Sequence, residues 1–241
     1  MKFVVHSHRY GREFLESSDS PNEEFVELKD AINDINDSDI INEFYLKKLS
    51  RGKSISKAIN KLIKDKLINK NWLSEAHIFN PDDPNHPDPS PSSKRFRLDF
   101  AKNDIAVEVA FNHGEAISWN LLKPVLSSEL NHLDKKQQTK IGIVVTATEK
   151  LKKYGGFDSA IGSYEKYLRY LIMMNTQLVC PLVIIGLEAP SSFKIIHHKY
   201  KGVKDLVGVV YQNGILNFPS EEIDKKKNVS KGHKKLYSDL L

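Results

Sequence analysis

The pattern of this chain predicts an α/β domain with a mixed β-sheet flanked by helices, and three observations predict it. IGIVVTA (141–147) and PLVIIGL (181–187) are almost wholly apolar, as strands covered on both faces must be. Amphipathic helical stretches alternate with the strand-like ones, the signature of an α/β fold. The stretch RLDFAKNDIAVEVAF, Arg97 to Phe111, ends in the period-two alternation of a half-buried strand, yet it carries acids at Asp99 and Glu108.

In chain order, KFVVHSHRY reads as a short strand. SDSPNEEFVELKDAINDIND (18–37) reads as a helix, with Ser20 as cap, Pro21 as first residue, Glu23 and Glu24 at the positive end, and Phe25, Leu28, Ile32 and Ile35 at helical spacing. SISKAINKLIKDKLINK is a second helix, with Ile55, Ile59, Leu62 and Leu67 inward and Lys57, Lys61, Lys64, Lys66 and Lys70 outward. The proline-rich segment at 79–93 excludes helix and central strand, so it reads as an extended surface loop rather than a domain boundary. Strands follow at 96–100, 105–111, 141–147 and 181–187, and helices at roughly 118–136 and 159–175. LVGVVYQNGILNF reads as a hairpin because Asn213-Gly214 suits a type I′ turn. The whole chain, 1–241, reads as one domain with a basic C-terminal extension at 190–241, whose lysine-rich end is loosely ordered.

With 36 Lys and Arg against 31 Asp and Glu, the formal charge is +5, which favours an anionic partner and above all nucleic acid. The one cysteine, Cys180, excludes a disulfide framework within the chain. No apolar run is long enough to span a bilayer, and the N-terminus lacks the apolar core of a signal peptide, so the expected location is cytoplasmic, away from membranes.

An ionised carboxylate facing a core is costly unless it is paired or holds a metal. Asp99 at a strand end and Glu108 on the neighbouring strand converge on one cation in the simplest reading. Two carboxylates, the Val109 backbone carbonyl and a substrate phosphate would suit Mg2+, which prefers hard oxygen ligands and keeps several waters. The bland reading pairs Glu108 with a lysine or leaves it on a solvated edge. His6 and His8 have metal-ligand spacing but no third partner nearby in sequence, and Glu129 with His132 forms a single E-x-x-H pair where a di-iron bundle needs two such helices.

The pattern Asp99-x8-Glu108-x-Ala110 resembles the PD-(D/E)xK nuclease motif, and the chain resembles the BglII/BstYI family of type II restriction endonucleases. VVHSHRYGREFLE, GKSISKAINKLIKDKLINKNW, LDFAKNDIAVEVAF, LLKPVLSSELNHL, GSYEKYL and PLVIIGLEAP carry the resemblance, in order, over roughly residues 1 to 190. It implies a PD-(D/E)xK restriction-endonuclease-like mixed sheet and a Mg2+-dependent homodimer. Such an enzyme cleaves both strands of double-stranded DNA at a short palindromic site, with Asp99 and Glu108 as metal ligands. By the same resemblance Asn112 and His113, and Lys153, Asp158 and Ser159 in the loop after 150, meet DNA. Arg51, Lys53, Ser54 and Ser56 before the basic helix add contacts.

The departure is Ala110, where the resembled family carries glutamine and the wider superfamily lysine. An alanine can touch neither water nor metal. Either the Val109 carbonyl and water suffice, or a nearby polar group substitutes, with Glu115, Glu129, Lys123 and His113 as candidates. The alternatives are a repair or nicking nuclease of the same superfamily, or a weak or inactive DNA-binding protein on a decayed nuclease fold. Leu122, Leu126 and Leu130 are expected either in the core or at the dimer interface.

Overall fold

In the computed structural model, residues 1–17, 19–46, 52–87, 95–129, 133–199 and 206–217 are described. The strands are β1 (Phe3–His8), β2 (Leu73–His77), β3 (Arg97–Lys102), β4 (Ile105–Ala110), β5 (Ile141–Ala147), β6 (Leu182–Leu187), β7 (Lys194–Lys199), β8 (Leu206–Gln212) and β9 (Ile215–Asn217). The helices are α1 (Gly11–Ser17), α2 (Asp19–Asn33), α3 (Asp37–Leu46), α4 (Ser56–Ile68), α5 (Ile117–Ser128), α6 (Glu149–Tyr154) and α7 (Tyr164–Met173), with a 3-10 turn at Gly114–Ala116.

Six strands form one mixed sheet in the order β1-β6-β5-β4-β3-β2. The β4–β5 and β5–β6 pairs are parallel, and their crossovers carry α5 and α7; the other pairs are antiparallel. Alternation divides the side chains between two layers. Ile105, Val107, Val109, Ile143, Val145, Val183 and Ile185 face α1 to α4. Ala110, Val144, Leu182 and Ile184 face α5 and α7. Burial of each large aliphatic chain contributes roughly 1.5–3 kcal/mol, so these two layers hold the sheet in place.

Several boundaries differ from the sequence reading for local reasons. The first long helix begins at Asp19, which puts Pro21 in its first turn, where a missing N–H leaves no intrahelical bond unmade. The inner stripe of α4 uses Ile63 in full burial where Leu62 had been expected; Leu62 is only partly buried. The helix expected to reach 136 ends at Ser128, and Glu129 is extended. Leu133, although at helical spacing, packs instead on the edge cluster of Ala76, Phe79 and Leu98. The helix expected from 159 starts at Tyr164, because Ser163 caps it and accepts from the Lys166 N–H.

Three elements escaped the sequence reading. β2 carries no β-branched residue, α3 fully buries only Ile40, and α6 is a short turn of helix capped by Thr148. The Asn213-Gly214 hairpin forms as read, with φ of 53° and 78°. With β7 it makes a second, three-stranded sheet, so part of the basic extension is folded. The lysine-rich end beyond 217, Arg51, Leu130, His132 and positions 88–93 of the proline-rich loop lie outside the described residues. Leu122 and Leu126 are partly buried against their own chain's clusters.

Candidate active site at the β3–β4 edge

The nine-residue spacing of the two acids follows from a hairpin. Lys102 pairs with Ile105 across a two-residue turn in which Asn103 takes φ 47°, and the register continues through Ala101↔Ala106 and Phe100↔Val107. The next rung places Asp99 opposite Glu108, on the same sheet face, but there the strands part. Residues opposite each other across an antiparallel pair have Cβ atoms about 4.5–5.5 Å apart. Instead of a ladder bond, the Val109 N–H donates to Asp99 Oδ2 at 2.8 Å. N–H and C=O of one strand residue point to the same side, so the Val109 carbonyl also faces this opened edge.

The acids and Val109 line a cavity of about 270 Å³ together with Ser56, Asn60, Phe111, Asn112, Asn120 and Lys123. A second cavity of about 160 Å³ shares Asn60, Asp99 and Val109 with it and adds Lys64, Ser74, Glu75 and Phe100. The two adjoin as one trough. Its α4 wall is a polar stripe, Ser56, Asn60 and Lys64, at successive turns of the helix.

Glu108 is 2% exposed. Its Oε2 pairs with Lys123 Nζ from α5, and Oε1 has no hydrogen-bond partner among the described residues. Burial first, then neighbouring Asp99, push its carboxyl up to about 8 against the pull of Lys123. Burial also raises the Asp99 carboxyl above its ordinary range, opposed by Lys123 and the Val109 N–H. Both acids therefore hold protons more tightly than usual until more positive charge arrives. Two acids, one with a free buried oxygen, and a strand carbonyl fit a hard divalent cation that takes its remaining ligands from water and phosphate. No group of three or more His, Cys, Asp or Glu side chains gathers anywhere among the described residues, so any ion here would rest on two acids and the strand carbonyl.

The bland reading of Glu108 as a lysine partner is thus half met: Lys123 occupies one oxygen only. Ala110 is 2% exposed and packs with Ile117, Leu121 and Tyr167. Two of the suggested substitutes for position 110 are not brought to the acids. Glu115 sits in the 3-10 turn with its side chain 91% exposed, 3.9 Å from His113, and Glu129 is exposed beyond the end of α5. Chain direction explains both: the 3-10 turn projects from the sheet rim, and α5 carries residue 129 away from the acids.

Those residues expected at DNA that are described converge at that rim. Ser54 and Ser56 join at 2.9 Å between hydroxyls. The Ile55 N–H donates to the Gly155 carbonyl at 3.1 Å, and the Lys53 carbonyl meets His197 Nε2 at 3.0 Å. Asn112 accepts from Asn120 at 2.9 Å and from the Gly162 N–H, His113 bridges Ile161, and Asp158 accepts from the Ala160 N–H at 2.8 Å. Lys53, Asn112, His113, Lys153, Asp158 and Ser159 are exposed. Loops 52–56, 112–114 and 153–162 therefore form one cluster beside the trough.

Sequence reasoning missed Asn60, Asn120, Ser74 and Glu75. The stripe of polar residues on α4 was the available signal for Asn60. Glu75 had none: it lies opposite Asp99 in the β2–β3 register, with φ 53°, a strained conformation that only the pairing reveals.

Residues 3–187 match the family described as restriction endonuclease BglII/BglIII. No curated protein sequence matches the chain. Among solved structures, restriction endonuclease BglII complexed with a DNA 16-mer is similar, with a TM-score of 0.55 and 18% identity, covering 88% of this chain and 100% of that one. Free BglII is similar at a TM-score of 0.46 and 18% identity, over 90% and 99% of the respective chains.

Proposed function

Because the chain belongs to the BglII/BglIII family of restriction endonucleases, type II site-specific deoxyribonucleases on a PD-(D/E)xK fold, we propose that it is a Mg2+-dependent homodimer. It cuts both strands of double-stranded DNA at a short palindromic site. The observation that carries this reading is the parting of β3 and β4 at Asp99 and Glu108, where one buried carboxylate oxygen has no hydrogen-bond partner among the described residues. Asp99, Glu108 and the Val109 carbonyl would hold the ion. A bound Mg2+ supplies Lewis-acid polarisation of the phosphodiester and activation of water.

The chain's own residues set the geometry. The Val109 N–H fixes the Asp99 carboxylate, and Lys123 holds Glu108 in place from above the sheet. Lys53, Lys64 and Lys153 present positive charge to phosphates; Ser54 and Ser56 add hydroxyls at the loop. Asn112, His113, Asp158 and Ser159 reach toward base edges, where hydrogen-bond patterns distinguish base pairs. A two-fold dimer matches a palindrome by symmetry, with one copy for each strand. Among the described residues no helix is long and apolar enough to cross a membrane, and we place the enzyme in the cytoplasm with its substrate.

The buried methyl at Ala110 favours a second reading, DNA binding without cleavage. Supercoiled plasmid treated with Mg2+, Mn2+ or Ca2+ separates the two. Discrete linear fragments whose mapped ends share one palindrome are expected with Mg2+. A Ca2+-supported gel shift with no cutting in Mg2+ or Mn2+ would favour the second reading and reject the first.

A further inference from the structure

Ala110 shares the Glu108 face of β4, and its methyl is packed beneath α5. Nothing at that position reaches a phosphate or a water. The packing that closes the position delivers another group instead. α5 comes down on a floor of small residues: Ala106 and Ala110 on β4, Gly142 on β5. A Cβ at Gly142 would lie 2.3 Å from the Cβ of Pro124, so glycine there lets Pro124 approach the sheet, and Lys123 beside it approaches too. Lys123 is 8% exposed, pairs with Glu108 Oε2 and donates to the Arg97 carbonyl at 3.1 Å. Among the described residues it is the one cationic side chain lining the larger cavity, which Asp99, Asn112 and Asn120 also line. An ammonium has three N–H donors. Glu108 and the Arg97 carbonyl engage two, which leaves one for a ligand in the cavity.

We propose that Lys123 is a catalytic residue, whose ammonium contacts the scissile phosphate from α5 and supplies the positive charge that position 110 lacks. This rests on the nuclease reading above. In the step it serves, a water oxygen bonds to phosphorus and the P–O ester bond opposite breaks. The electron pair of that bond leaves with the departing oxygen. The water releases one proton to solvent, and the departing oxygen takes one up, leaving a phosphate monoester and an alcohol. Lys123 takes no part in these proton transfers. It acts by fixed charge on the phosphoryl oxygens, where negative charge builds in the transition state. Pre-organised donors of this kind are worth about 10²–10³ in rate.

Lys123→Met and Lys123→Gln in the full chain test this. Three quantities are measured: single-turnover cleavage of plasmid at saturating protein and Mg2+, Ca2+-supported affinity for a plasmid fragment bearing the cut site, and Mn2+ affinity by paramagnetic resonance. Cleavage is expected to slow about 100-fold or more in both variants, while in Lys123→Gln, which still donates to Glu108, both affinities stay within about threefold. Lys123→Arg, which keeps the charge, should recover part of the rate. Neutral variants that cut within about threefold of the unaltered chain would overturn the proposal. So would a rate loss matched in Lys123→Gln by a parallel loss of Mn2+ affinity, which would confine Lys123 to holding Glu108. Should the methionine variant fail to fold, the glutamine variant, which still donates to Glu108, decides alone. If the unaltered chain cuts nothing with Mg2+ or Mn2+, the nuclease reading fails and takes this proposal with it. Equal cutting by unaltered and neutral chains sinks only the role of Lys123.

Discussion

The two faces of β4 are built to different ends. Ile105, Val107 and Val109 project into the α1–α4 layer among isoleucines and leucines, and the first two are wholly buried there. Ala106, Glu108 and Ala110 project under α5, equally hidden from solvent, yet the middle one is an acid that meets a lysine. Burial is the same; chemistry is opposite. One face adds stability by excluding water from large apolar chains. The other gives up apolar volume at two alanines so that a helix can sit close and enclose a charge. A buried carboxylate–ammonium pair is weak evidence for stability, since desolvation offsets much of its attraction. The face that contributes least to holding the sheet is therefore the one fitted for chemistry.

The sharpest break in this comparison comes from the acids. Asp99→Asn keeps an acceptor for the Val109 N–H, and Glu108→Gln keeps the shape. Each should cut cleavage by about 10³-fold or more, roughly 4 kcal/mol of transition-state stabilisation, with the far-ultraviolet dichroism unchanged. Next comes the apolar face. Ile105→Ala should lower unfolding free energy by about 2–5 kcal/mol in a urea titration, while Mn2+ affinity holds, because the cavity it opens lies on the far side of the sheet. A smaller effect is expected from Gly142→Ala, whose Cβ collides with Pro124 and lifts α5. A loss of about 1–3 kcal/mol in the same titration should be joined by slower cleavage, since Lys123 rides on that helix.

The mildest effect is a pH slope. The Glu108 carboxyl stands at about 8 in the folded chain against an ordinary 4.5, and Asp99 moves in the same direction. Between those values the folded chain holds a proton that the unfolded chain has lost. The metal-free chain is therefore expected to lose stability, on the order of 1 kcal/mol per pH unit, as pH rises through that window. Mg2+ competes with that proton, so its stabilisation should grow with pH in the same interval. Melting temperatures at several pH values, with and without Mg2+, check both signs. A metal-free melting temperature that rises from about pH 6 to about pH 8 would refute the account of the buried acid.

The strands at 96–100, 105–111, 141–147 and 181–187, the alternation of β4, the acid pair and the Asn213-Gly214 turn were legible in the sequence, because each depends on neighbours close along the chain; the sheet order, which pairs β1 with β6, was not. Period and turn chemistry are local properties. Spacing made Asp99 and Glu108 candidates for one site, and the two-residue hairpin of the structure converts their nine positions into one rung. The end of α5 was not legible: Leu133 keeps helical rhythm with Leu126, and only the edge cluster of Ala76, Phe79 and Leu98 draws it elsewhere. Nor was the choice among Lys123, Glu115 and Glu129 as neighbours of the acids. Those three lie at comparable distances along the chain, and which one arrives depends on how deeply α5 seats over Gly142, a contact between segments that no local pattern encodes. Glu75 was hidden for the same reason, because its place opposite Asp99 exists only once β2 pairs with β3.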